Sequence, residues 1–122
     1  MRATLHEIIS TDVDVETFRP DDPADAGVWV RLLVGPAQQQ DDEPLSGESF
    51  DVLVCTPLWL RREVVENGPQ IGRHHLVVEP FDLPRATAYL RELVESLDEA
   101  DWDALAEKLA RIGHWEFEDY QE

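Results

Sequence analysis

The chain has 122 residues, of which 43% are hydrophobic and 30% are charged, a composition typical of one globular domain rather than a disordered segment. Its 27 acidic residues against 10 basic residues give a formal net charge of −17, and a surface of this sign repels the phosphates of nucleic acids and of anionic membranes. These values argue against nucleic acid or a membrane as a partner and favour a basic protein.

The cysteine content and the N-terminal residues indicate the compartment. Cys55 is the single cysteine, so no intramolecular disulfide can form, as is typical of a reducing compartment. Residues 1–10 lack the apolar run of a signal peptide. No stretch approaches the roughly 20 apolar residues needed to cross a bilayer. These features predict a soluble cytoplasmic protein.

Three strands are predicted in the first half of the chain. Residues 2–9 form the first, and residues 28–34 (VWVRLLV) form a buried second strand bounded by glycines. Residues 50–55 form the third, with alternate apolar side chains on one face. The connecting segments 11–27 and 37–48 are rich in acids and prolines, which predicts exposed loops.

A helix is predicted from Pro57 to about Glu66. Thr56 supplies an N-cap oxygen, and proline suits the first helical position because the N–H that it lacks would be unpaired there. Residues 67–69 (NGP) end this helix. A fourth strand is predicted over residues 74–79.

Two more helices are predicted before the end of the chain. Asp82 and Pro84 begin the first of them, which carries apolar residues at helical spacing. These residues are Ala86, Leu90, Leu93 and Leu97. The next helix follows Asp98, and Gly113 is predicted as its capping glycine. Its apolar face comprises Trp102, Leu105, Leu109 and Ile112.

The final segment, residues 114–120 (HWEFEDY), alternates with a period of two and predicts a fifth strand. Its alternation would turn Trp115 and Phe117 toward the core. The other face would carry His114, Glu116, Glu118 and Tyr120, directed toward solvent or a partner. We therefore expect a fixed final strand that displays its acids, rather than a loose tail.

The element order β-β-β-α-β-α-α-β predicts a single α+β domain spanning residues 1–122. We expect a largely antiparallel sheet of about five strands, with about three helices packed on one face.

The single cysteine and the histidines are the candidates for catalysis or metal binding. Cys55 precedes a helix start, a position that suits a nucleophile with His74, His75 or His114 as its base. A lone cysteine at the end of an apolar strand is, however, typical of a small core residue. His74 and His75 would point to opposite faces of a strand, and no spaced set of zinc ligands exists. We expect no metal ion and no cofactor.

Acidic clusters occur at residues 21–22, 41–43 and 116–119. None has the alternating pattern of a calcium-binding loop, and nothing fixes the separation of a catalytic carboxylate pair. The first two clusters are typical of solvated loops. The third differs because aromatic residues lie between its acids, and aromatic side chains dominate binding hot spots.

Three stretches carry a family resemblance: SFDVLVCTPLWL (49–60), GRHHLVVEPFD (72–82) and RIGHWEFEDY (111–120). In order and spacing they resemble the immunity protein 8 family of bacterial polymorphic toxin systems. The resemblance implies an α+β fold and a non-catalytic protein that binds and neutralises a cognate secreted toxin. It assigns no toxin-contacting residues.

The candidate toxin-binding residues therefore follow from residue chemistry alone: Glu116, Glu118, Asp119 and Tyr120. Carboxylates at this surface would suit a toxin domain with a basic cleft. We expect a monomer or a weak homodimer. Two alternatives stay open: a small enzyme that uses Cys55 or clustered carboxylates, and a homo-oligomeric structural adaptor.

Overall fold

Five strands and three helices follow one another in the predicted order in the structure, a computed structural model that describes residues 1–37 and 47–117. The strands are β1 (Ala3–Ile9), β2 (Gly27–Pro36), β3 (Glu48–Cys55), β4 (His75–Val77) and β5 (His114–Trp115). The helices are α1 (Pro57–Asn67), α2 (Leu83–Glu95) and α3 (Trp102–Leu109). The predicted α+β class is confirmed.

The strands form one mixed sheet. Four of them lie in the order β1-β2-β3-β4, and β5 pairs with the N-terminal half of β3. Because β2 occupies the other side of β3 along its whole length, β4 and β5 share the same side of that strand. Only the β3–β4 pairing is parallel among the pairings described.

The register of β2 against β3 builds the core. Val28, Val30 and Leu32 lie opposite Val54, Val52 and Phe50, and all six side chains are buried. Because side chains alternate along a strand, this pairing turns every second residue of both strands toward the same apolar layer.

Helices α2 and α3 cover this apolar layer. Each begins at an aspartate whose carboxylate accepts a backbone N–H: Asp82 from Arg85 at 3.2 Å, and Asp101 from Ala104 at 2.8 Å. Leu83, Ala86, Leu90 and Val94 are the buried residues of α2. Leu93 and Leu97, predicted in this stripe, are half-buried. None of the helices in the described part of the chain is long and apolar enough to cross a membrane.

Helix α1 starts as predicted at Thr56 and Pro57 and ends at Gly68, which has a φ of 89°. It has no buried residue. It contacts the sheet through Trp59, whose indole occupies the space that a Cβ at Gly27 would need. Glycine at that position therefore permits the close approach of the helix.

The bounds predicted for the fourth strand (74–79) and the cap predicted for α3 differ from the structure, in which β4 spans only His75–Val77. His74 has a φ of 67°, which is incompatible with a strand, so β4 begins one residue later. Helix α3 is capped by Ala110 rather than by Gly113. Gly113 instead packs against β3, where a Cβ would lie 2.9 Å from the Cβ of Phe50.

Candidate functional site

Trp115 fixes the last strand to the core. Its ring stacks on that of Phe50, with centroids 6.3 Å apart and planes inclined by 12°. Its indole N–H donates to one carboxylate oxygen of Glu48, and the indole N–H of Trp102 donates to the other at 3.1 Å. Glu48 thus connects α3 and β5 to β3, and the predicted core position of Trp115 is confirmed.

The strand ends at Trp115, earlier than predicted. The backbone N–H of Glu116 donates to the carbonyl oxygen of Ser49 at 3.3 Å, and its own carboxylate accepts the N–H of Ser49 at 3.1 Å. Because a side-chain carboxylate, rather than the next backbone carbonyl, accepts the N–H of Ser49, the β3–β5 ladder stops and the chain turns.

This early end changes the position of Phe117. The alternation predicted a core side chain, but Phe117 is 42% exposed and contacts Trp115 edge-on, with ring centroids 6.0 Å apart. The core prediction for Phe117 is therefore wrong. An exposed aromatic side chain instead follows Glu116 directly in the chain.

Of the four candidate binding residues, the structure places Glu116, which is exposed. Glu118, Asp119 and Tyr120 lie outside the described residues. Their predicted role stays a prediction.

Trp59 of α1 covers one end of the sheet surface opposite α2 and α3, since it lies over Gly27, which shares a face of β2 with Trp29. The rest of this surface, here called the open face, carries Ile9, Trp29, Arg31, Asp51 and His114. Trp29 is 46% exposed and Ile9 is 42% exposed. The guanidinium of Arg31 binds the carboxylate of Asp51 through two hydrogen bonds of 2.9 and 3.1 Å. His114 lies opposite Asp51 across the β3–β5 ladder. Exposed aromatic and aliphatic groups beside a fixed ion pair are typical of a protein-binding surface.

Electrostatics connect the open face to the end of β5. The hydrogen bond and the charge of Asp51 raise the pKa of Arg31, and the negative charge of Glu116 raises it further. The positive charge of Arg31 is offset by two carboxylates, so the surface formed by the open face and Glu116 carries no excess positive charge.

The histidines have separate environments. His74 is buried, and its Nε2 lies 2.8 Å from the carbonyl oxygen of Ala110. Its ring is 5.7 Å from that of His114, while His75 is half-buried in β4. The two side chains have different environments, but His74 lies outside the strand that was predicted to hold both. Within residues 1–37 and 47–117, no three His, Cys, Asp or Glu residues form a group that could hold a metal ion.

Cys55 is a core residue. Its side chain is fully buried, and burial raises the pKa of its thiol. A raised pKa disfavours the thiolate that nucleophilic chemistry requires. The geometry therefore gives no support to the alternative of a cysteine enzyme.

The acids of the loop between β1 and β2 hold its turns. Asp14 accepts the N–H of Glu16, and Asp22 accepts that of Ala24, both at 2.9 Å. Asp25 forms an ion pair with Arg62 of α1. These carboxylates have structural partners, whereas the cluster at residues 41–43 lies outside the described residues.

Trp29 is the site residue that the sequence interpretation missed. The apolar composition of VWVRLLV predicts a buried strand, but Trp29 is 46% exposed. A signal was present, because Trp29 and Arg31 share one face of the strand and an arginine rarely faces a core. The alternation of Trp29 and Arg31 with Val28, Val30 and Leu32 would have indicated one open face.

The family model described as Immunity protein 8 matches residues 3–120 of the 122 residues. No curated protein and no solved structure matches the chain.

Proposed function

Because the chain belongs to the immunity protein 8 family and is therefore an immunity protein of a toxin system, we propose that it neutralises a cognate secreted toxin by binding it directly. The match over residues 3–120 is the observation that carries this proposal. The net charge of −17 supports it, since such a charge attracts a toxin with a basic cleft.

The proposed binding surface is the C-terminal end of the chain together with the neighbouring open face. Glu116, Glu118 and Asp119 steer the basic toxin, and Tyr120 is an anchor. Exposed charge pairs contribute only about 0–1 kcal/mol each, so tight binding needs apolar anchors as well. Trp29 on the open face and Phe117, next to Glu116 in the chain, are both exposed, which supports a mixed acidic and aromatic interface.

The protein acts in the cytoplasm of the toxin-producing cell, as a monomer or weak homodimer, and catalyses no reaction. The burial of Cys55 and the structural partners of Asp14, Asp22 and Asp25 support inhibition by binding over chemistry.

Co-expression with the toxin encoded beside this gene tests the proposal, followed by binding kinetics with a catalytically inactive toxin domain. The double variant Glu116→Gln/Glu118→Gln should lower the association rate and leave the melting temperature nearly unchanged. Its matched control is Glu66→Gln/Glu107→Gln, which removes the same charge from exposed positions on α1 and α3. Tyr120→Ala should speed dissociation, at a cost of about 1–3 kcal/mol in binding free energy.

Failure of the wild-type protein to bind the toxin or to protect the cell would refute the proposal. Equal effects of the two double variants would show that total charge matters but its position does not. Unchanged kinetics for the first double variant and for Tyr120→Ala would remove the C-terminal end from the interface.

A further inference from the structure

The two edges of the sheet differ in how their backbone groups are satisfied. On the outer side of β1, the N–H of Ala3 donates to the carbonyl oxygen of Leu97 at 3.3 Å. Further along, the N–H of Leu5 donates to Glu95 at 3.1 Å, and its carbonyl oxygen accepts from Arg91 at 2.8 Å. This edge is closed by the end of α2 and the segment that follows it.

The opposite edge is β4, and it has no such cover in the described part of the chain. The N–H of Val78 donates to the carbonyl oxygen of Cys55 at 2.9 Å. In a parallel ladder, the backbone groups of every second residue point to the same neighbouring strand. Because the N–H of Val78 points to β3, the backbone groups of His75 and Val77 point away from β3. Within the described residues no strand lies beyond β4. Uncovered edges of this kind are templates for strand addition.

A groove runs along this edge. It lies between β4 and the N-terminal half of α2, and it has a volume of about 370 Å³. Leu76 and Val78 contribute to one wall, and Ala86 and Tyr89 to the other. Tyr89 is 55% exposed and Val77 is 50% exposed. An added strand would therefore meet apolar surface as well as free backbone groups.

We propose that an extended, basic segment of the toxin adds to β4 as a further strand and lies in this groove. Its backbone pairs with His75 and Val77, and alternate side chains enter the groove against Ala86 and Tyr89. This inference rests on the proposed function. An added strand would extend the proposed interface along one edge of β3, because β4 and β5 both pair with that edge.

Charge selects the occupant. A second copy of the chain would bring another net charge of −17 to an edge whose charged groove residues are two acids and one base, Glu79, Asp82 and Arg85, with a net charge of −1, so self-pairing is opposed. A basic segment is attracted by the same charges. The edge therefore favours a basic partner over a homodimer.

Amide hydrogen exchange measured by NMR tests the pairing, with the inactive toxin domain as the probe. On binding, the amides of His75 and Val77 should become protected, whereas those of Leu76 and Val78, already paired with β3, should change little. Leu5, on the closed edge, provides a control amide within the same protein.

Two variants at one position separate backbone from side chain. Val77→Pro removes the N–H that points away from β3 and should weaken toxin binding by about tenfold, the effect of losing a strong backbone hydrogen bond. Val77→Ala keeps that N–H and should weaken binding less. If Val77→Pro lowers the melting temperature substantially, amide protection in the wild-type protein decides the matter.

The outcomes distinguish the two proposals. Binding without new protection at His75 and Val77 would overturn strand addition and leave toxin binding standing. No binding at all would overturn both. Protection of these amides in the isolated protein that increases with its concentration would identify a second copy as the occupant, which also overturns the inference.

Discussion

Two of the four tryptophans of this protein, Trp29 and Trp115, lie on opposite faces of the sheet and have different roles. Trp115 faces the core side, where it stacks on Phe50 and donates its indole N–H to Glu48. Trp29 faces the other side and keeps nearly half of its surface in solvent, next to the Arg31–Asp51 ion pair. A large exposed indole beside a fixed polar group is the combination that concentrates binding energy in protein interfaces.

Cys55 provides a prediction at the scale of one residue. Because its thiol is fully buried, iodoacetamide should modify the native protein on the order of 100-fold more slowly than the chain unfolded in urea. Mass spectrometry of samples quenched over time measures both rates. Rapid modification of the native protein would show that the end of β3 opens to solvent.

The raised pKa of the same thiol also predicts how the free energy of unfolding depends on pH. The unfolded thiol ionises around its ordinary pKa of 9.0, while the folded thiol stays protonated to higher pH. The free energy of unfolding should therefore fall as the pH rises above about 9, because the unfolded state then loses a proton that the folded state retains. Cys55→Ala removes this contribution, so its stability should fall less steeply over the same range in urea titrations.

At the scale of elements, features that depend on residues close in sequence could be predicted, and features that depend on distant residues could not. The starts of α1 and α2 were predictable because Thr56 and Asp82 act on backbone groups within three residues of themselves. The early end of β5 was not, because it depends on Glu116 meeting Ser49, which is distant in sequence. The apolar strand faces were predictable from alternation, while the exposure of Phe117 depended on that same distant contact.

Glu48 should be a structural residue despite its charge. Its carboxylate accepts from the indoles of Trp102 and Trp115, so Glu48→Ala leaves two partly buried N–H groups without these acceptors. The cost should be about 1–3 kcal/mol in the free energy of unfolding. Glu48→Gln keeps one carbonyl acceptor and should cost less. Equal stability of both variants and the wild type in urea denaturation would contradict this role.

Leu105 tests how α3 is attached to the sheet. Its side chain is completely buried within the core, so Leu105→Ala should lower the free energy of unfolding by about 2–5 kcal/mol. Glu107→Ala, two residues along on the exposed side of the same helix, should change it by less than about 0.5 kcal/mol. Similar values for the two variants in urea denaturation would contradict the docking of this helix.

At the scale of the whole molecule, the charge was fully evident in the sequence, but its distribution was not. Carboxylates of Asp14, Asp22 and Asp25 have structural partners, and Glu116 accepts the N–H of Ser49 but also lies exposed at the end of β5. The candidate site was therefore predictable in part: its acidic character follows from composition, whereas the contributions of Trp29 and of the β4 edge depend on how distant strands pair.

The net charge of −17 also predicts how binding kinetics depend on salt. If long-range attraction steers a basic toxin to the protein, raising the ionic strength from about 0.01 M to about 0.1 M shortens the screening length from about 30 Å to about 10 Å. The association rate constant should then fall by about tenfold or more, while the dissociation rate, which reflects short-range contacts, changes much less. Stopped-flow mixing with the inactive toxin domain measures the association rate, and competition with unlabelled protein measures the dissociation rate.

The variant Glu116→Gln/Glu118→Gln should show a weaker salt dependence of association than Glu66→Gln/Glu107→Gln, because charges near the docking site dominate the final approach. An association rate insensitive to salt, with a dissociation rate that rises steeply, would place the charged contacts in the bound complex and not in the encounter.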